Sequence, residues 1–164
     1  MTRSSRSSSR RSTARTRRRT RRRVSAAWVP SGPRPAVDPS DVRLERGAGA
    51  PGRGGEPGGS YWRVFVGDAS AGTVFINIID EPPLGQHASI QIKINKNWQG
   101  RGVGRRAYRL ASEACDHDTV YAHMAKSNIA SRKAAEHAGY KLVDDVQIRQ
   151  LLMKWTRSTA RSNR

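Results

Sequence analysis

What this sequence lacks narrows its reading before any motif is considered. Its single cysteine, Cys115, allows no disulfide within the chain and no cysteine-rich zinc site. That leaves out redox and zinc-ribbon readings and fits a reducing, cytoplasmic setting. Long apolar runs are missing as well: stretches such as Thr73 to Ile79 fall far short of the ~20 residues that cross a bilayer, so no membrane partner is expected. Acids are scarce, with 13 Asp and Glu against 31 Lys and Arg in 164 residues, a formal net charge of +18. Lysine is absent from the first 60 residues, although 15 arginines stand there.

The charge is not spread evenly. Residues 1–60 hold 15 bases and 4 acids, +11, with 13 apolar residues; residues 61–164 hold 16 bases and 9 acids, +7, with 45 apolar residues. Only the second part can pack a core, and the length allows one. Residues 1–23 are nearly all Arg, Ser and Thr, a self-repelling composition that buries nothing. A disordered tail is therefore expected over residues 1–40, a folded domain over 41–157 and a short basic tail over 158–164. Two readings of the N-terminal tail stay open. It is an electrostatic arm for nucleic acid, with salt-sensitive Arg–phosphate pairing, or it is an unselected segment. Its lysine-free Arg/Gly/Pro/Ala/Ser bias is what a high-GC coding sequence read from too far upstream produces, and the natural start would then fall nearer Val24, Val29 or Val37. The twin arginines before Val24 to Val29 mimic an export signal. The apolar part is interrupted by Ser25 and stops at Pro30, short of the ~7–15 residues of an export core.

In the second part, periodicity maps the elements. Asp41 to Arg46 alternates Val42 and Leu44 with polar residues as a short strand does, whereas residues 47–60 carry seven glycines and two prolines and cannot sustain a helix. Tyr61 to Val66 and Gly72 to Asp80 are rich in aromatic and β-branched residues, and the Gly67 to Ala71 turn between them predicts a hairpin. Ile90, Ile92 and Ile94 alternate with Gln91, Lys93 and Asn95, a strand with one buried face. From Gly102 the period becomes helical, with Val103, Ala107, Leu110, Ala111 and Ala114 on one side. Thr119 to Ala125 predicts a strand, Asn128 to His137 a helix ended by Gly139, and Tyr140 to Val143 and Gln150 to Trp155 two closing strands. The order implies an α/β (α+β) domain with a helix crossing over between Ile94 and Val120.

Gln99-Gly100-Arg101-Gly102-Val103-Gly104 lies between the clearest strand and the clearest helix. Its N–H groups project from a helix N-terminus, an arrangement suited to phosphate or pyrophosphate, with Arg101 and Arg105 placed to add charge-assisted bonds. A tight strand-to-helix connection would use the same glycines. No Gly-Lys-Ser/Thr follows, so this is not a Walker loop, and the antiparallel strands before it argue against a dinucleotide fingerprint.

Two spaced motifs now coincide. Gln99, Gly102 and Gly104 form Gln-x-x-Gly-x-Gly after a strand, and Asn128, Ser131, Gly139 and Tyr140 form a second helix that begins Asn-x-x-Ser and ends Gly-Tyr. Together they resemble the GNAT superfamily of acyl-CoA-dependent N-acyltransferases, closely over residues 87–143 and more loosely over 41–155. The resemblance implies a mixed, mostly antiparallel twisted sheet with a central splayed strand pair and two main helices. It implies acetyl-CoA as co-substrate, no metal, and acetyl transfer to a primary amine of a small molecule or protein by direct attack in a ternary complex. By the same resemblance, the main chain of Ile92, Lys93 and Ile94 would pair with the pantetheine arm. Gln99, Gly100, Arg101, Gly102, Val103, Gly104 and Arg105 would hold the pyrophosphate, Asn128 and Ser131 would face the acyl end, and a main-chain N–H near Ile94 would polarise the thioester carbonyl.

The chain also departs from the family pattern. Seven residues beyond the Asn, where many relatives carry a Tyr that protonates the thiolate, stands Ala135; Ser131 or water is left for that task. The run Asn128 to Tyr140 looks more like the ribosomal-protein and amino-terminal acetyltransferase branch. Candidate bases are Asp80, Glu81 and His87, each of which reads more simply as a strand-end or turn residue. His123 alternates with Tyr121 and is placed to face the slot, though an ordinary half-buried sheet histidine is the simpler reading, and His117 and His137 read as helix-end caps. The Gly/Pro stretch at 47–60 replaces the two helices that line the family's acceptor pocket, so that side is open or completed by a second subunit in a homodimer. The alternatives are a catalytically idle acyl-CoA-binding module and an Arg-rich nucleic-acid binder. If the tail is an unselected segment, intact-mass measurement of the native protein will give a terminus well beyond Met1 and Thr2.

Overall fold

The computed structural model describes residues 32–158. Of the tails expected over residues 1–40 and 158–164, residues 1–31, with the nucleic-acid reading that rests on them, and 159–164 lie outside the described residues. Seven strands and two α-helices follow in the expected order: β1 (Val42–Gly47), β2 (Ser60–Val66), β3 (Ala69–Glu81), β4 (Gly85–Ile94), α1 (Val103–Ala114), β5 (Thr119–Met124), α2 (Ile129–His137), β6 (Lys141–Val143) and β7 (Leu151–Thr156). They build one mixed sheet in the order β1-β2-β3-β4-β5-β7-β6. Every neighbouring pair is antiparallel except β4 and β5, which run parallel because α1 crosses between them.

The register explains which faces are buried. Val74 pairs with Ile92 and Ile76 with Ile90, while on the other side of the sheet's centre Val120 pairs with Trp155 and Ala122 with Met153. These residues share the helix-bearing face, and Val64, Val74, Ile76, Val120 and Met153 are completely buried there. Alternation then sends Phe75, Asn77, Ser89, Gln91, Tyr121 and His123 to the opposite face.

On α1 the buried stripe is Val103, Ala107, Tyr108, Ala111 and Ser112. It is rotated from the periodicity-based expectation, for Ala114 is exposed and Leu110 only half-buried. The cause is α2 with the turn that follows it. Ser112 Oγ donates to the Tyr108 carbonyl at 2.9 Å and meets the Tyr140 hydroxyl at 2.6 Å, so two polar side chains are buried because they satisfy each other. Gly139, at φ +95°, makes the left-handed turn that carries the chain from α2 to Tyr140.

Residues 48–59 form turns with no helix, as their composition requires. The Asn77 side chain secures them: Gly54 N donates to its Oδ1 at 2.6 Å and its Nδ2 donates to the Gly52 carbonyl at 2.8 Å. His117 caps no carbonyl of its own helix; its Nε2 bonds the Gly58 carbonyl of this loop at 2.7 Å. Packing also begins ahead of β1, for Val37 is buried and its N–H donates to the Arg101 carbonyl at 2.9 Å.

Ile76 is fully buried at the centre of the sheet, so Ile76→Ala should lower unfolding free energy by about 2–5 kcal/mol through lost transfer energy plus an unfilled cavity. Urea denaturation followed by circular dichroism measures it.

Candidate active site

The site begins where two strands part. β4 and β5 are paired only at Ser89↔Tyr121, although β4 pairs with β3 along its whole length and β5 with β7 along all of its own. Beyond Ser89 and Tyr121 the facing edges leave each other, and main-chain groups there have no sheet partner.

The turn at the end of β4 is built around this opening. Gln99 Nε2 donates to the Ile94 carbonyl at 2.8 Å and Asn95 N to the Ala71 carbonyl at 2.8 Å, which fixes the strand end against its neighbour. Gly100 at φ +71° and Gly102 at φ +86° then turn the chain left-handed into α1. A Cβ on Gly102 would stand 3.2 Å from Arg105 Nε, so the guanidinium lies directly against that glycine. The first α-helical bond runs from Arg106 N to the Gly102 carbonyl. Amides ahead of it have no acceptor inside the helix, and the positive end of its dipole adds to them.

A cleft of about 530 Å³ runs from this turn along the gap, lined by Ile92, Ile94, Gln99, Gly100, Gly102, Gly104, Arg105 and Tyr108 from one side. From the other come Asn128, Ala130, Ser131, Lys133, Ala134 and His137. Asn128 caps α2, its Oδ1 accepting from Ser131 N at 3.1 Å. The Ser131 hydroxyl meets the Tyr108 hydroxyl at 2.9 Å. Burial pushes the Tyr108 phenol above its ordinary value, which keeps its proton in place at neutral pH.

Most residues singled out from the sequence are thus brought to one cleft, but three of the proposed cofactor contacts are not among its lining residues. Arg101 turns the other way, its Nε donating to the Pro35 carbonyl at 2.9 Å while its guanidinium lies 4.6 Å from the Trp98 ring centre. Val103 is completely buried in the core. Lys93 lies on the opposite face, in a second cleft of about 540 Å³ with Arg53, Tyr61, Phe75 and Gln91. Of the expected bases, Asp80 is exposed near the β3–β4 turn. Glu81 and His87 stand with His123: the two imidazole Nε2 atoms are 2.9 Å apart, and Glu81 Oε2 is 3.8 Å from His123 Nδ1.

Tyr108 was not signalled, because a tyrosine on an amphipathic helix reads as core; its spacing of four from Gly104 was the available sign. The His87–His123 contact joins residues 36 apart, on strands separated by α1, so no local pattern reports it.

Among family models, that of the acetyltransferase (GNAT) domain matches residues 14–141, most of the chain. The chain belongs to this family. It is an acetyltransferase by that membership. The fold agrees with AAC(6')-Ib, solved with acetyl-CoA bound, at TM-score 0.52 and 15% identity over 61% of this chain and 66% of that one. PseH of Campylobacter jejuni aligns at TM-score 0.48 and 18% identity over 63% of this chain and 71% of its own. The microcin C7 self-immunity acetyltransferase MccE, in complex with acetyl-CoA and AMP, aligns at 0.47 and 21% over 61% and 62%. The chain thus spans about two thirds of the length of these structures, 62–71%. A search of curated proteins returns no significant match. No helix among the described residues is long and apolar enough to cross a membrane.

Burial first, and the neighbouring His87 second, hold the His123 imidazole below its ordinary 6.5, against smaller upward pulls from Glu81 and Gln150. The unfolded chain therefore takes up this proton more readily than the folded one. The contribution to stability is complete above pH 6.5 and is lost as pH falls through the lower native value. Melting temperature should fall as pH is lowered from about 7 to about 5, and His123→Gln should flatten that part of the profile.

Proposed function

We propose that this acetyltransferase moves an acetyl group from acetyl-CoA to the primary amine of a small molecule or a protein, by direct attack while both substrates are bound. The observation that carries the reading is the opening between β4 and β5 with the glycine turn at its end. The fit is local and physical. Gly100, Gly102 and Gly104 leave the main chain accessible at a helix N-terminus, and Arg105 supplies the cation for a pyrophosphate. The free edge of Ile92 to Ile94 offers strand-like hydrogen bonds to the amides of a pantetheine arm, and Ile92 and Ile94 give it apolar contact. A main-chain N–H near Ile94 stabilises the oxyanion that forms as the amine adds to the thioester carbonyl.

The departing thiolate needs little assistance, its ordinary value lying near the ~8.5 of a cysteine. Ser131, held by the Tyr108 hydroxyl, is the group in the cleft that supports it, and this hydroxyl pair stands in for the tyrosine absent at Ala135. The acceptor enters from the opposite face of the sheet, where Arg53, Tyr61, Phe75, Gln91 and Lys93 surround the second cleft.

Release of CoA thiol, measured with a panel of amines, tests the assignment. Gly102→Glu puts a carboxylate into a position at φ +86° against Arg105, and should raise the KM for acetyl-CoA at least tenfold. Asn128→Ala removes the cap of α2 and should lower both turnover and stability, the latter by about 1 kcal/mol. Turnover unaffected by Gly102→Glu would place the cofactor elsewhere. Calorimetric binding of acetyl-CoA with no amine acetylated would favour the idle module instead.

A further inference from the structure

The opposite face of the sheet holds a directed chain of hydrogen bonds whose open end is a proton acceptor. His87 Nδ1 lies 2.7 Å from the Gly85 carbonyl, which can only accept, so that nitrogen carries a hydrogen. In the tautomer with its hydrogen there, His87 carries a lone pair at Nε2, to which His123 Nε2, 2.9 Å away, donates. This leaves the hydrogen off His123 Nδ1. That nitrogen is buried and has no hydrogen-bond partner, with the Glu81 carboxylate at 3.8 Å. Glu81 and Gln150 favour a proton on this ring, while burial and His87 outweigh them and leave it a base that is free at neutral pH. His123 can do so without breaking any bond of the chain, since its Nε2–H still donates to His87. The network thus sets where an incoming proton lands, on His123 Nδ1, the nitrogen that carries none.

Its position matters as much as its chemistry. Ser89↔Tyr121 is where β4 and β5 last touch. His87 stands two residues before Ser89 and His123 two residues after Tyr121, and their rings stack with centres 5.1 Å apart across that junction. The pair therefore spans the two strands at the apex of the opening, on the face away from Ile92, Ile94 and Arg105.

We propose that His123 is the group that takes the proton from the acceptor ammonium, with His87 and Glu81 as its positioning residues. This rests on the acyl-transfer reading above. R–NH3+ gives one proton, from the Glu81 side, to His123 Nδ1 and becomes R–NH2. Its lone pair forms the C–N bond to the thioester carbon as the C–S bond breaks. The second proton shed by nitrogen goes to the CoA sulfur, so the products are the acetamide, CoA thiol and a histidinium that returns its proton to solvent beside Glu81. The charged and titratable groups around His123 are Glu81 of β3, His87 of β4 and, further along the sheet, Lys154 of β7, 5.9 Å from the centre of the Tyr121 ring. Burial and His87 keep His123 neutral at pH 7, the state a base requires.

The test is a pH–rate profile with the best acceptor amine from the panel, on the full chain. Wild type should show a rising limb with a midpoint below 6.5, and ring 15N shifts should assign a titration in the same range to His123, with Nδ1 as the bare nitrogen. His123→Gln should lower kcat about 100-fold, remove that limb and leave the KM for acetyl-CoA unchanged. His123→Glu should restore part of the rate with the limb moved to the carboxylate range. His87→Leu, which takes away the acceptor for His123 Nε2–H, should displace the limb without abolishing it, an effect that a merely structural histidine would not have. A folded His123→Gln variant with the wild-type rate and profile overturns the base while the acyl-transfer reading stands. Wild type that binds acetyl-CoA and acetylates nothing overturns both.

Discussion

The structure depends on a pairing that is almost absent. Parallel strands joined by a crossover helix normally zip together, and β4 and β5 hold at one residue pair only. Each is stabilised from its other side: β4 belongs to the antiparallel meander of β1 to β4, and β5 to the antiparallel unit it forms with β7 and β6. The sheet is thus two half-sheets that share a corner. α1 packs on the first half and α2 flanks the second, so the contacts between the helices set how far the halves stand apart. The half-buried hydroxyl pair Tyr108–Ser131 joins the two helices and the buried pair Ser112–Tyr140 joins α1 to the turn after α2, directional bonds that fix a distance apolar packing alone would leave adjustable.

The two faces of the sheet then divide the chemistry. On the helix face lie the glycine turn, Arg105 and the hydroxyl pair, all suited to an anionic, thioester-bearing ligand. On the other lie two imidazoles and a carboxylate, suited to a cation that must lose a proton. The gap beyond the Ser89–Tyr121 junction joins the two faces without crossing closed sheet. Charge follows the division only in part: Arg105 stands on the helix face, while Glu81 shares the other face with Arg53 and Lys93.

Much of this was legible in sequence because the signals are local. The Ile90–Ile92–Ile94 alternation fixes which side of β4 meets the helices, and the Gly100–Gly104 spacing marks where strand becomes helix. Element order and boundaries follow from such patterns within a residue or a few. What escaped depends on parts of the chain that meet only after folding. Arg101 sits in a motif that suggests a phosphate contact, yet Pro35, remote in sequence, offers its carbonyl to the same guanidinium. His123 alternates as any sheet residue does; its partner is set by the register of β4 against β5, which no window of sequence contains. Ser112 reads as a polar position on α1, and its burial rests on the Tyr140 hydroxyl, remote in sequence, together with the Tyr108 carbonyl.

The loop between β1 and β2 carries a further consequence. It borders the second cleft through Gly52 and Arg53, and the Asn77 amide holds it by main-chain atoms of Gly52 and Gly54. A wall made of backbone pinned at one point presents few side chains to select among ligands, and its contour depends on how many residues span the pin. Changes in loop length would therefore reshape the pocket while leaving the sheet intact, so that acceptor preference can diverge between relatives by insertion and deletion, independently of the residues that perform the chemistry.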